Sequence, residues 1–258
     1  MRVEVFFQPA VPVEHGRGRE LAILVDVLRT STTLAVAFAH RARAVVPCAT
    51  PEEACRFAEA STEPVLLAGE QGGKPIPGFA LENSPREYVP EVVAGKLIAF
   101  VSSNGTPLLR RLPDGDSFRT VVAGLVNRAA VVEYCRRWGP ERVWICCAGD
   151  GGSVAYEDVL GAGALVEGLS RLRSVVVTDA AQVAAAVYRE ASRGYLEAVL
   201  RASRHARFLA LEGKQHDIED ALRLDTVWVV PRWVGGFLLG EEPACVGAVT
   251  ASTPECAA

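Results

Sequence analysis

The sequence predicts an α/β protein, a three-layer α/β/α architecture around a largely parallel or mixed sheet. Three observations lead there. Short apolar runs of strand length alternate with longer segments of helical pattern along most of the chain. Many of these runs are apolar on both faces, as in a sheet covered on two sides. Half of the 258 residues are hydrophobic, enough for a sizeable core, yet no apolar run approaches the roughly 18 residues of a membrane span.

Taken in order, strands are expected at 3–7, 21–25, 44–47, 65–68, 97–101, 120–123, 143–148 and 226–230. Helices are expected at 31–39, 51–60, 85–88, 107–112, 127–138, 154–172, 179–193, 195–203 and 217–222. Continuous apolar character makes 21–25 a buried strand. Ser84, Pro85 and Glu87 have the spacing of a capping box with proline at the first helical position. Thr106 before Pro107 reads as the cap of the next helix. The segment 179–222 breaks the alternation, is helical throughout, and is expected to cap one end of the sheet. Gly235-Gly236 and the tail after Glu242 read as terminal loops or short edge strands. No linker or repeat divides the chain, so residues 1–258 are expected to form one domain. The apolar helix at 154–172 suits a homodimer interface as readily as a core.

Five strand ends pass through small, polar or glycine-rich loops into helices: 26–33, 69–73, 102–107, 124–127 and 149–153. In open α/β sheets such loops line the ligand crevice. The first is the most informative. Asp26-Val27-Leu28-Arg29-Thr30-Ser31-Thr32-Thr33 places an acid, an arginine and four hydroxyls at the end of an apolar strand. A carboxylate there is costly unless it is partnered, a hard cation accepts carboxylate oxygens, and an arginine forks onto two oxygens of a phosphate or sulfonate. Glu70 puts a second carboxylate at a strand end. Asn104-Gly105-Thr106 reads equally as a helix cap or an anion nest. Glu157 and Asp158 lie in the first turns of a long helix, where complementing the helix dipole is the structural alternative. Asn83 faces a ligand if the loop after Gly78-Phe79 walls a pocket.

Other chemistries are disfavoured. A net charge of −4 argues against a nucleic-acid footprint. The seven cysteines contain no C-x-x-C pair and read as buried thiols of a reducing compartment. The N-terminus lacks a secretory pattern, so the expected location is the cytoplasm. His15, His40, His205 and His216 stand in no catalytic spacing and are expected to be non-catalytic. Esterase, P-loop and dinucleotide fingerprints are absent.

These motifs together resemble the 2-phosphosulfolactate phosphatase (ComB) family of coenzyme M biosynthesis, from Asp26 to Pro231. Asp26-Val27-Leu28-Arg29-Thr30-Ser31-Thr32 is similar to the family's D-V-L-R-A-[ST]-[ST]. Gly69-Glu70, Gly78-Phe79 with Asn83-Ser84-Pro85, Ser103-Asn104-Gly105-Thr106, Glu157-Asp158 with Gly161 or Gly163, and Gly213 with Asp217 and Val229-Val230-Pro231 follow in the family's order. The resemblance implies a ComB-like fold and a Mg²⁺-dependent phosphatase that converts 2-phospho-3-sulfolactate, a small anionic substrate, to 3-sulfolactate and phosphate. Gln71 and Ala80 depart from the family, which usually carries Arg and Asp there.

In that setting Asp26, Glu70 and Asp158 are the candidate Mg²⁺ ligands, with Glu157 a ligand or a base. Arg29 would stabilise phosphoryl charge, and Thr30, Ser31, Thr32 and the Asn104-Gly105-Thr106 turn would supply neutral donors. A phosphatase for a related hydroxy acid, a non-catalytic binder of such acids and a structural subunit are the alternatives. Carboxylates scattered through the fold would exclude the first two readings.

Overall fold

The computed structural model describes residues 1–12 and 18–243. The expectations for His15, Cys245, Cys256 and the tail beyond residue 243 fall outside them. The strands are β1 (Arg2–Phe6), β2 (Glu20–Val25), β3 (Ala44–Cys48), β4 (Val65–Gln71), β5 (Lys74–Pro75), β6 (Leu97–Val101), β7 (Phe118–Ala123), β8 (Arg142–Cys147), β9 (Val176–Val177), β10 (Val230–Val234) and β11 (Phe237–Glu241). The helices are α1 (Thr30–Ala39), α2 (Pro51–Ala60), α3 (Pro90–Val93), α4 (Gly105–Leu109), α5 (Arg128–Trp138), α6 (Tyr156–Leu169), α7 (Asp179–Ala191), α8 (Leu196–Arg201), α9 (Arg204–Leu211) and α10 (Gln215–Ala221).

The chain is α/β with a mixed sheet flanked by helices. Among the described residues the strands join one sheet in the order β5-β4-β6-β3-β11-β10-β7-β2-β8-β1-β9. Strands β4, β6 and β3 form one parallel block, and β7, β2, β8, β1 and β9 form another. The antiparallel hairpin β10–β11 is inserted between them. Alternation decides the layers. Leu21, Ile23 and Val25 of β2 point to the face covered by α5 to α10. Ala22 and Leu24 point to the opposite face, against Leu34 and Phe38 of α1 and Leu108 and Leu109 of α4. Helix α2 covers the far side of the smaller block through Ala54 and Phe57. Helices α1 and α4 therefore lie between the two blocks. Cys146 and Cys147 fall on opposite faces of β8, as strand geometry requires.

Three expectations are corrected, and the helix expected at 154–172 takes the core role of the two open to it. The strand expected at 226–230 begins only at Val230, because Asp225 and Val227 donate their N–H groups to Leu125 and Val126 of the loop after β7. Gly235-Gly236 is the two-residue turn of a central hairpin rather than an edge; its φ values of 55° and 91° are those such a turn needs. Ser84 does not close a capping box. Pro85–Glu87 is a single 3₁₀ turn, Ser84 Oγ donates to Asp217, and Glu87 accepts from the N–H of Glu82. Helix α6 is buried within this chain along nearly its whole length, so its apolar surface is already covered. No helix among the described residues is long and apolar enough to cross a membrane.

Candidate active site

Register places the strand ends in pairs. Val25 of β2 is level with Cys147 of β8, so Asp26 and the loop of Gly149 and Asp150 leave the sheet together. Gly69 of β4 is level with Val101 of β6, so Glu70 emerges beside Ser103. Two contacts join the pairs across α4. Gly105 packs so closely on Asp26 that a Cβ there would lie 2.5 Å from Asp26 Oδ2. Gly151 N–H donates to Asn104 Oδ1 at 3.2 Å. Between these loops opens a cavity of about 480 Å³.

Of the candidate residues, Asp26, Arg29, Thr30, Glu70, Asn83 and Asn104 line the cavity. Burial, reinforced by the charges of Glu70 and Glu157 and offset by hydrogen bonds from Thr30, raises Asp26 to about 7. Glu70 is oriented by Ser103 N–H at 2.7 Å, Ser103 Oγ at 3.0 Å and Gly73 N–H at 2.6 Å. The Leu28–Arg29 peptide is cis. Arg29 Nη1 donates to Asp217 Oδ2 at 2.8 Å and to Glu82 Oε1 at 3.2 Å. Its Nε and Nη2 are buried and have no partner, and neither has Asn83 Oδ1. Unpaired buried donors are costly and therefore rare. Here they belong to a cavity-lining guanidinium.

The other candidates are corrected in place. Ser31 Oγ accepts from Asp26 N–H at 2.9 Å, and Thr32 Oγ1 donates to Val27 O at 2.8 Å, so both hydroxyls shape the loop. Thr106 lies inside α4, not at its cap; Asn104 holds the cap position, and Thr106 Oγ1 donates to Ser102 O at 3.0 Å. Gly105 acts by lacking a side chain against Asp26. Asp158 accepts from Val27 N–H on one oxygen and Gly149 N–H on the other, each at 2.9 Å. It thus clamps the Asp26 loop to the β8 loop. Burial, with Asp26 and Glu157 adding, drives its carboxyl well above the usual range. Glu157 is also raised, chiefly by burial, and accepts a hydrogen bond from the side chain of Ser203. Gly78 and Phe79 do not wall the cavity, and neither does the loop 124–127, which Asn127 closes by accepting from Gly124 N–H.

Sequence reasoning missed the far wall. Arg204, His205 and Phe208 of α9 line the cavity with Asp150. Asp217 was noted only as part of a closing pattern, yet it is fully buried and holds Arg29 on one oxygen and Ser84 Oγ on the other. Glu82, between Arg29 and Lys214, completes the support. The signal for α9 was present: Ser203 caps it, accepting from Ala206 N–H at 3.2 Å.

The model of the 2-phosphosulpholactate phosphatase family matches residues 8–236. The chain belongs to that family. Relatives named "Probable 2-phosphosulfolactate phosphatase" include one from Thermotoga maritima, 36% identical over 242 residues that cover 93% of this chain and 100% of the relative. One from Symbiobacterium thermophilum is 37% identical, with 87% and 95% covered. One from Gloeobacter violaceus is 38% identical, with 93% and 98% covered. The 2-phosphosulpholactate phosphatase family is one of phosphoric monoester hydrolases.

A first test concerns Arg29's support. Asp217→Asn is expected to lower catalytic efficiency by about 10- to 100-fold, because one fixed hydrogen bond of the guanidinium loses its charge. It should also destabilise the fold by a few kcal/mol, as breaking a buried pair does. Steady-state kinetics and thermal melts of the variant check both.

Proposed function

We propose that this chain is a Mg²⁺-assisted phosphatase that hydrolyses 2-phosphosulfolactate to 3-sulfolactate and phosphate. The observation that carries the reading is the pair of buried, unpartnered donors, Nε and Nη2, on Arg29, a residue that lines a cavity with Asp26 and Glu70. Two adjacent N–H groups of one guanidinium match two oxygens of a phosphoryl group, and Nη1 is already fixed by Asp217 and Glu82.

The donor set fits a hard divalent cation. Asp26, Glu157 and Asp158 are carboxyls raised above their ordinary values, chiefly by burial. Among the described residues no three His, Cys, Asp or Glu side chains form a metal cage. Mg²⁺ needs only one or two carboxylates besides water and substrate phosphate. Asp26 and Glu70 would hold it, since both line the cavity and Asp158 does not. When bound, it would neutralise phosphoryl charge and acidify water.

The chain's own residues do the rest. Arg29 binds two phosphoryl oxygens and stabilises the charge that spreads over them at the transition state. Asp26 orients the attacking water and takes up its proton. The water oxygen bonds to phosphorus, the P–O bond to the lactate carbon's oxygen breaks, and that oxygen takes a proton from solvent water and leaves as the hydroxyl of 3-sulfolactate. Thr30 and Asn104 offer neutral groups, and Asn83 Oδ1 an acceptor, around the substrate. Gln71 and Ala80 are exposed and do not line the cavity, so their departure from the family pattern leaves its chemistry intact. The described cysteines are free thiols, in keeping with a cytoplasmic setting.

Phosphate release from a panel of phosphorylated hydroxy acids, with EDTA and with added Mg²⁺, tests this reading. Release from 2-phosphosulfolactate is expected with Mg²⁺, lost in EDTA and restored by excess Mg²⁺. Binding without release would make the chain a binder of such acids instead.

A further inference from the structure

The phosphatase reading accounts for Asp26, Arg29 and Glu70 and leaves the α9 wall unused. That wall is built for position. Ser203 caps α9 and its side chain is held by the buried Glu157, so the first turn of the helix is anchored to the core of α6. Phe208, one turn further on, packs against Gly73, where a Cβ would collide with its ring. His205 tilts on the Phe208 ring with centroids 5.8 Å apart. It stands within the fields of Asp150, Arg29, Glu70 and Arg204, that is, among the charged groups of the cavity.

Arg204 is the cavity cation with spare capacity. Its Nη2 meets Asp150 Oδ2 at 2.5 Å and Asp150 O at 3.2 Å. Both contacts use the same nitrogen, and the side chain remains 69% exposed. Arg29, by contrast, is 1% exposed and locked to two carboxylates on Nη1. The cavity thus holds one rigid guanidinium with two free N–H groups and one exposed guanidinium on a separate element, with an imidazole beside it. The phosphoester of a neutral alcohol needs only the first.

We infer that Arg204 and His205 form a second subsite, which binds a carboxylate or sulfonate carried on the same small molecule as the phosphate. The inference rests on the phosphatase reading and adds to it a basis for selectivity: phosphoesters of acids are chosen over phosphoesters of neutral alcohols. Substrate reaches Arg204 in competition with Asp150, so the acid group replaces one partner of an exposed ion pair, which costs little. His205 adds an N–H donor and Phe208 an apolar wall.

The test is a ratio. Catalytic efficiency is measured on 2-phosphosulfolactate and on isopropyl phosphate, which lacks both acid groups, for the unaltered chain, Arg204→Ala, Arg204→Lys and His205→Asn. A charge-assisted hydrogen bond to the acid group predicts that the ratio of the two efficiencies falls by about tenfold or more in Arg204→Ala. It should fall less in Arg204→Lys, which keeps the charge, and measurably in His205→Asn. A ratio that stays within about twofold in Arg204→Ala, whatever the absolute rates, overturns the subsite. Binding of 3-sulfolactate by calorimetry separates the two readings. If no phosphoester is hydrolysed but 3-sulfolactate binds and weakens about tenfold or more in Arg204→Ala, the phosphatase reading falls and the subsite stands. Equal binding by both proteins, or by neither, removes the subsite.

Discussion

Asp26→Asn is expected to cut Mg²⁺-dependent phosphate release by about 10³-fold or more, since one change removes both a cation ligand and the group that takes the proton of water. The same change is expected to stabilise the folded chain at neutral pH. The ordinary value of an aspartate carboxyl is 3.8, and in the fold Asp26 stands at about 7, mainly through burial. A carboxyl raised on folding favours the folded state while it carries its proton. Its contribution is complete below about 3.8 and is lost as pH rises through about 7. Glu157 and Asp158 are shifted in the same direction by the same cause. In EDTA the melting temperature of the unaltered protein should therefore decline between about pH 4 and 7. Asp26→Asn should flatten part of that decline and melt higher at pH 8, by a margin worth a few kcal/mol. Added Mg²⁺ should raise the melting temperature of the unaltered protein and do less for the variant. A variant that melts lower at pH 8, or that turns over normally, would remove Asp26 from the centre of the site.

Arg29→Lys is the second large effect, expected at about 10²-fold or more in kcat/KM. The substitution preserves the charge and isolates geometry. Arg29 uses Nη1 for Asp217 and Glu82, and its Nε and Nη2 have no partner. A lysine has a single nitrogen, and the buried Asp217 and the partly exposed Glu82 would hold it, leaving nothing for the phosphoryl oxygens. KM for 2-phosphosulfolactate should rise together with the fall in kcat, because the fork contacts phosphate both before and during transfer. Inorganic phosphate should also lose affinity as a competitive inhibitor. Unchanged inhibition by phosphate would place the phosphate elsewhere in the cavity.

The strand-end loops were legible because an apolar run that must be buried can release a polar side chain only where the strand leaves the sheet. That constraint located Asp26, Glu70 and the Ser103-Asn104 turn before any coordinates. It did not separate groups that face ligand from groups that face backbone. Asp158 and Asp26 look alike in sequence, but Asp158 has an N–H on each oxygen and Asp26 does not have that double clamp. Ser31, Thr32 and Thr106 are hydroxyls of the right kind whose bonds are taken by their own loops. His205 was set aside because it has no catalytic spacing, and spacing is irrelevant to a residue that reaches a site from a different layer. The Gly-Gly hairpin was a readable turn signal; its central place in the sheet was not, since partners far apart in sequence decide where a hairpin inserts.

By itself the sequence determined the alternation of buried strands and covering helices, and the delivery of an acid, an arginine and hydroxyls from the end of β2. It could do so because burial and periodicity are local properties of the chain. Only the tertiary structure decided that Asp217 and Glu82 hold one nitrogen of Arg29 and leave two without a partner, that Asp158 accepts a backbone N–H on each oxygen, and that α9 supplies the opposite wall. Those outcomes depend on which hydrogen bonds are already satisfied once distant segments pack together, and no single stretch of sequence carries that accounting.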